Sequence, residues 1–560
     1  MALSSKFNFM GLARTRPLSF LRFQRPNPWQ LAAFLITVAV CAPLAMVLSS
    51  VFSPSTDVWR HLVETVLVEV MLNTIWLVLG VGVGTLVLGV SLAWLTAACE
   101  FPGRRFFDWA LMLPLALPAY VTAFVSIGLL DYTGPVQTFL RSWLGEGIWF
   151  PRIRSTGGVI LVMTLALYPY VYLLARNAFL TQGRRAIEVA QSLGHSRWGG
   201  FYHVSLPMAR PWIVGGSMLA LMETVADFGA VSTFNYDTLT TAIYKAWFGM
   251  FSLSAAAQLS SLLILIVFVL LVVEQQWRLR MRYGQMGRNS AYGDRVVLRG
   301  IWGGVAFTYS VLILSAGFLI PVVQLSVWAY GVFDQDFDGR YLGFVTHSLL
   351  LGGVASLLTC TCALILVYAS RQRNGFWTRF LVRLATMGYA LPGTVLAVGV
   401  FLLFVSLDHQ IIHLAKVWFG AEVELLLTGT LLAMLLAYLV RFLAVAHSPL
   451  ESAMQRVTSN IEEAARSLGC SGIGLLRRIH LPILRGGLLT ATTLVFVDVM
   501  KEMPITLMTR PFGWDTLSVR IFEMTSEGEW ERAALPAVVL VLAGLVPVML
   551  LTKHEDKGSS

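Results

Sequence analysis

Two pairs of acidic residues stand inside runs that are otherwise almost free of charge. Glu223 and Asp227 are four positions apart, as are Asp498 and Glu502, and each member of the second pair follows its counterpart by 275 positions. Lys501 sits inside the second pair. Four positions is about one helical turn, so each pair shares a helix face. A carboxylate at mid-bilayer costs roughly 2.5–3.5 kcal/mol on insertion scales, so these groups must face a bundle interior or a watery cavity. Counted from Pro211 at ~1.5 Å per residue, Glu223 lies about 18 Å in and Asp227 about 24 Å. Several readings follow. The four acids line a pathway for hard cations, which favour oxygen ligands. Or Lys501 neutralises one acid while the others hydrogen-bond across an interface. Or one of them is a gate contact.

Other constellations carry less. His409 and His413 have the spacing of a metal-binding pair beside Asp408, but the glutamate of HExxH is missing, so a wet helix face is the expectation. Asp334, Asp336, Asp338 and Gly339 open like a calcium loop, yet Val345 stands where the bidentate glutamate belongs. No metal site is assigned. The five cysteines form no CxxC pair, and four of them fall in or at the edge of apolar runs, so they read as small apolar residues. No GxxxxGK[ST] occurs, so the chain has no phosphate-binding loop of its own and is expected to bind no cofactor.

The elements that must position the acids are membrane spans. The chain has 560 residues, 56% hydrophobic and only 13% charged, with mean hydropathy +0.71. Soluble domains carry about 25% charged residues. The net charge of +10 is then no nucleic-acid signal, because the basic residues sit in short loops where the positive-inside rule puts them. Twelve spans are expected, at about 29–52, 73–98, 107–130, 158–179, 211–234, 254–274, 301–329, 347–369, 380–406, 426–446, 486–508 and 533–552. Loops 99–106, 180–210, 275–300, 370–379 and 447–485 hold the arginine clusters, and the acidic loop 330–346 falls on the other side. Both termini are therefore expected in the cytoplasm. The segments divide as 1–28, a cytoplasmic end; 29–275, a first half; 276–300, a basic linker; 301–553, a second half; and 554–560, a tail.

The halves are copies of one another. EVAQSLGHSRWGGFYHVSLP at 188–207 recurs as EAARSLGCSGIGLLRRIHLP at 463–482, again displaced by 275. Leu117-Pro118 matches Leu391-Pro392, and Asp237-Thr238-Leu239-Thr240 matches Asp515-Thr516-Leu517-Ser518. Six spans per half is an even number, so the repeat is parallel. Each 20-residue segment reads as a short helix, a glycine break and a return to the membrane through Leu-Pro. Ala190, Ala464 and Ala465 allow close approach of another surface, and Gly194 and Gly469 supply a turn that a Cβ would hinder. Pro207 and Pro482 are expected to end an extended return.

These segments resemble the EAA motif of permease subunits in binding-protein-dependent ABC importers of the type I fold. The resemblance covers about 70–275 and 345–550, so the chain looks like a fused permease dimer: an all-α polytopic membrane protein of about twelve transmembrane helices in two parallel six-helix repeats. It implies that Glu188, Ala190, Gly194, Leu206 and Pro207, and again Glu463, Ala464, Ala465, Gly469, Leu481 and Pro482, form coupling segments. Each would seat in one subunit of a cytoplasmic ATPase dimer that binds ATP and Mg. Val189 departs from the usual alanine. An outer solute-binding protein would deliver the cargo, and the chain itself would be no enzyme. ETVADFGAVSTF (223–234), DTLTTAIYKAWF (237–248) and DVMKEMPITLMTRPFGWDTLSVRIFE (498–523) are similar to the ferric iron permeases of bacterial inner membranes. Thiamine, polyamine and phosphonate importers are the nearest competing families. A proton-coupled secondary carrier would also use buried acids and parallel halves, but has no need of a duplicated ATPase dock.

Overall fold

A long apolar stretch surrounded by lipid forms a helix, because a helix pairs every N–H and C=O within one segment. The computed structural model follows that rule over the residues it describes, which are 28–52, 56–183, 197–280, 295–372, 375–470 and 472–558. Among them, nine helices are long and apolar enough to cross a bilayer. A tenth crossing is the pair Arg104–Ala116 and Ala119–Leu144, bent by 92°. The remaining two expected spans, 211–234 and 533–552, fall on helices Leu206–Ala226 and Trp530–Gly558. The one sheet among the described residues is a two-residue pair, β1 (Cys99–Glu100) parallel to β2 (Val296–Val297). The chain is an all-α polytopic membrane protein.

Four expected spans are not continuous. Spans 107–130 and 380–406 break at Leu117-Pro118 and Leu391-Pro392, where all four residues leave the helical region. The residue before a proline is pushed from α to extended conformation, so both copies break at the same place. Spans 211–234 and 486–508 break after Ala226 and Lys501, and helix resumes at Gly229 and Pro504. Asp227 is thus the residue that ends its helix, not one inside it, and Glu502 is its twin. The returns to the membrane also differ from expectation. Phe201–Ser205 and Leu476–His480 are wide helical turns, closed by Leu206 N–H to Phe201 C=O and Leu481 N–H to Leu476 C=O. Pro207 and Pro482 fall in the first turn of the next helix, where a missing N–H costs nothing.

The two sequence halves exchange their outer helices. One buried core joins residues of 77–234 with residues of 306–341 and 517–541. The other joins 33–70 and 239–267 with 351–508. Helix Pro28–Ser49 lies on the second half: Gln30 donates to Thr378 at 3.1 Å, and the Trp29 ring meets Tyr368 edge-on at 4.7 Å. Gly399 permits this approach, because a Cβ there would lie 2.7 Å from the Pro43 carbonyl. Helix Ile301–Leu314 repeats the arrangement on the first half, with the Tyr309 and Ser91 hydroxyls 2.8 Å apart and Phe307 edge-on to Phe107 at 5.6 Å.

Candidate functional site

The two broken helices meet at the centre of the bundle around a cavity of about 210 Å³. A single water needs only about 10–15 Å³ by the same measure. Glu223 and Asp227 from the first half line it together with Asp498, Lys501 and Glu502 from the second, so all five expected residues converge. Tyr120, Tyr170, Tyr389 and Arg441 complete the polar wall.

Each break is held by the same bonds. The Asp227 carboxylate accepts the N–H groups of Ala230 and Val231 at 2.9 and 3.1 Å. The Glu502 carboxylate accepts the Ile505 N–H at 3.3 Å. These N–H groups are the unpaired donors of a new helix start, so a carboxylate is the natural cap. Behind the caps, Thr240 donates to the Asp227 carbonyl at 2.6 Å and Ser518 to the Glu502 carbonyl at 3.1 Å. The duplicated Asp-Thr-Leu-Thr/Ser stretch therefore exists to hold the broken helices.

The other two acids are freer. Glu223 accepts a hydrogen bond from the Tyr389 hydroxyl at 3.2 Å, across the join between halves. No described donor bonds the Asp498 carboxylate, which faces the cavity. Among the described residues, no group of three or more His, Cys, Asp or Glu side chains is close enough to grip a metal ion. The acids line the space without closing into a chelate among the described residues.

Lys501 and Asp498 act on one another by charge without direct contact, and a second cation joins them. Lys501 makes no described ion pair; its ammonium donates to the Leu115 carbonyl of the first half at 3.1 Å. The cation that pairs with an acid is Arg441, whose guanidinium lies 3.1 Å from Glu502 and also donates to the Leu391 carbonyl at 2.9 Å. The sequence signal was available: Arg441 is a charge within the apolar run 426–446, and the rule that picked out the acids applies equally to it.

The second EAA segment, 463–482, begins within the short helix Ser459–Ser467. Ala465 is buried, while Glu463 and Ala464 face outward. The helix ends in a Schellman turn, with Gly469 N–H to Arg466 C=O at 3.0 Å and Cys470 N–H to Ala465 C=O at 2.9 Å. Gly469 has φ +81°, and nothing crowds its missing Cβ, so the backbone angle is what requires glycine there. The inward-facing glutamate is Glu462, a residue the motif pattern passes over. Glu188, Ala190 and Gly194 of the first segment lie outside the described residues, whereas Leu206 and Pro207 open helix Leu206–Ala226 and Leu481 and Pro482 open its counterpart.

The discounted signals end in structural roles. Asp408 turns away from His409 and His413 and accepts four bonds, from the N–H groups of Leu426, Leu427 and Thr428 and the Thr428 hydroxyl. Asp336 pairs with Arg532 at 2.8 Å, and Asp338 caps Arg340 and Tyr341.

Comparison with known proteins decides the family. Residues 85–276 and 355–558 each match the family described as binding-protein-dependent transport system inner membrane component. The chain belongs to that family. The Fe(3+)-transport system permease protein FbpB 2 of Haemophilus influenzae is 30% identical over 548 residues, spanning 95% of this chain and 100% of that protein. The ferric transport system permease protein FbpB of Actinobacillus pleuropneumoniae is 22% identical over 89% of this chain and 72% of its own length. The molybdenum transport system permease protein ModB of Escherichia coli is 29% identical over 36% of this chain and 88% of its own. A single-length relative thus covers about one of the two matches, and this binding-protein-dependent permease is a fused pair. Like its family, it is a multi-pass protein of the inner membrane.

Proposed function

We propose that this permease carries ferric iron across the inner membrane as the membrane-spanning part of an ATP-driven importer. The observation that carries the reading is full-length likeness to a permease named for Fe(3+) transport. The cavity supports it independently. Its lining holds four acids against two cations, so a cation is favoured there over an anion. An outer binding protein delivers the ion to the space between the halves. Two ATPase subunits, which bind ATP and Mg in place of this chain, dock on the EAA segments on the cytoplasmic side, where both termini also lie. ATP binding and hydrolysis then shift the cavity between outward- and inward-facing states, as linkage between nucleotide state and gate state.

The test is ATP-dependent uptake of labelled ferric iron by vesicles holding this chain, its ATPase and its binding protein, with unlabelled thiamine as competitor. Uptake should survive thiamine. In Gly469→Asp it should fall by a factor of about ten or more, because a side chain at positive φ costs on the order of 1–2 kcal/mol and displaces the docking turn. Uptake of labelled thiamine and not of iron would overturn the substrate while leaving the importer in place.

A further inference from the structure

The last turn of helix Gly339–Gln372 grips the second EAA segment at both ends. Arg371 donates to the Glu462 carboxylate at 2.8 Å and to the Val457 carbonyl at 2.7 Å. Tyr368 donates to the Gly472 carbonyl at 3.2 Å, and Gln372 donates to the Tyr368 hydroxyl at 2.8 Å. His480, wholly buried, stands 3.3 Å from Glu462 and edge-on to the Tyr368 ring. Arg466 adds a weaker contact to the same carboxylate at 3.5 Å. The segment is therefore fastened before, within and after its short helix.

Toward its other end the same helix is bonded to the segment that holds the Glu502 break. Ser348 accepts the Leu517 N–H at 2.9 Å, and the adjoining Ser518 holds the carbonyl of Glu502. From Ser348 to Arg371 is about 35 Å at ~1.5 Å per residue. One unbroken helix thus joins the EAA segment to the break that carries a cavity acid.

The first half has the outer part of this linkage, and its sequence does not repeat the charged residues of the inner part. Thr74 accepts the Leu239 N–H at 3.2 Å, as Ser348 accepts Leu517. That pairing sets a register of 274 positions, which puts Trp94 and Ala97 where Tyr368 and Arg371 stand. In the motif register of 275, Ile187, Gln191 and Ser205 replace Glu462, Arg466 and His480. No replacement carries a charge. Trp94 packs instead on Phe179 and Phe201, with ring centroids at 5.4 and 4.2 Å.

We infer that Arg371 and Glu462 are positioning residues that make the second EAA segment and helix Gly339–Gln372 move as one body, so that displacement at the ATPase dock reaches the Glu502 break. This rests on the reading of the EAA segments as ATPase docks. A charge-assisted bond is shorter and more directional than apolar contact and resists sliding, which packing alone permits. Coupling between distant sites needs a contiguous element that both ends bias, and this helix is bonded at both. The two docks are then inequivalent in sequence: the second carries an ion pair whose residues the first half does not repeat.

The experiment is a double-mutant cycle in proteoliposomes holding the complete importer, with Glu462→Gln, Arg371→Met and the two combined. The readouts are ferric iron taken up per ATP hydrolysed and the amount of ATPase that co-purifies. The uptake ratio is insensitive to how much complex folds. Each single change should lower it about five-fold with the ATPase still bound, and the pair should be no worse than about two-fold below the weaker single. Independent roles would instead multiply, to roughly twenty-five-fold. That product, or a ratio unchanged in both singles, overturns the inference. Should either single fail to assemble, Tyr368→Phe removes one fastening hydroxyl and keeps the ring; it should lower the ratio about two-fold, a neutral hydrogen bond's worth, and no change there also overturns it. If the unmodified chain purifies without an ATPase, the dock reading falls and takes this inference with it. A working importer with indifferent variants sinks the inference alone.

Discussion

The two halves agree at the cavity and disagree at the EAA end. At the breaks, hydroxyl for hydroxyl and cap for cap, the bonds repeat: Thr240 and Ser518 on the backbone, Asp227 and Glu502 on the next helix. At the other end, helix Leu67–Ala98 runs into β1, which pairs with the linker strand β2, and Glu100 binds Arg104 and Arg295 at 3.0 and 3.2 Å. Its counterpart ends instead on Glu462. Equivalent helices are thus tied to different things. What the duplication holds constant is the handling of exposed backbone at a break, where the chemistry leaves few solutions. Where neutral packing and ions can both fill the space, the copies diverge.

The sharpest way to break this comparison is to remove the cation that one half has and the other lacks. Arg441→Met leaves Glu502 buried without its partner, which should cost about 3–5 kcal/mol. The expected result is a large drop in thermal unfolding temperature of the detergent-purified protein, and a small shift would mean that the Arg441–Glu502 pair is not what holds the second break. Next comes the acid without a cation. Asp227→Asn keeps an oxygen for the Ala230 and Val231 N–H groups and removes the charge, so it should slow iron uptake several-fold at normal expression, with binding-protein docking intact. Unchanged uptake would leave the carboxylate as a cap alone. The smallest effect is expected at the linker. Glu100 is 44% exposed, so Glu100→Gln should change stability by less than about 1 kcal/mol and leave uptake within two-fold, and a larger loss would make the linker strand part of the coupling machinery.

Much of this was legible from the chain. Charge within an apolar run marks a site whatever the fold, and the five residues so marked do converge. The breaks were hidden, because a periodic pattern shows which face is apolar and not whether the backbone runs on through Asp227. Leu117-Pro118 and Leu391-Pro392 did carry a breaking signal, but lay inside runs long enough to span. The exchange of outer helices was unreadable for a different reason. Helix Pro28–Ser49 is apolar on every side, so no face announces a partner, and only the contact at Gly399 does. Glu462 was missed because motif matching fixes on Glu463, whereas burial at Glu462 and Ala465 marks the face that turns inward.

Arg441 and Lys501 both come from the second half, while the four acids are shared equally. The cavity lining therefore has a formal charge of −2. Two copies of the first half would place four acids together with no counter-charge, and two copies of the second would bring four acids and four bases, cancelling. From these two halves as they stand, −2 arises only when unlike partners meet. A gene encoding one half, paired with itself, must make every substitution twice, and its cavity charge can change only in even steps. Joining the halves in one reading frame removes that constraint and guarantees that the unlike pair always assembles in equal numbers. Fusion here lets the two halves carry unequal shares of that charge, which identical partners could not do.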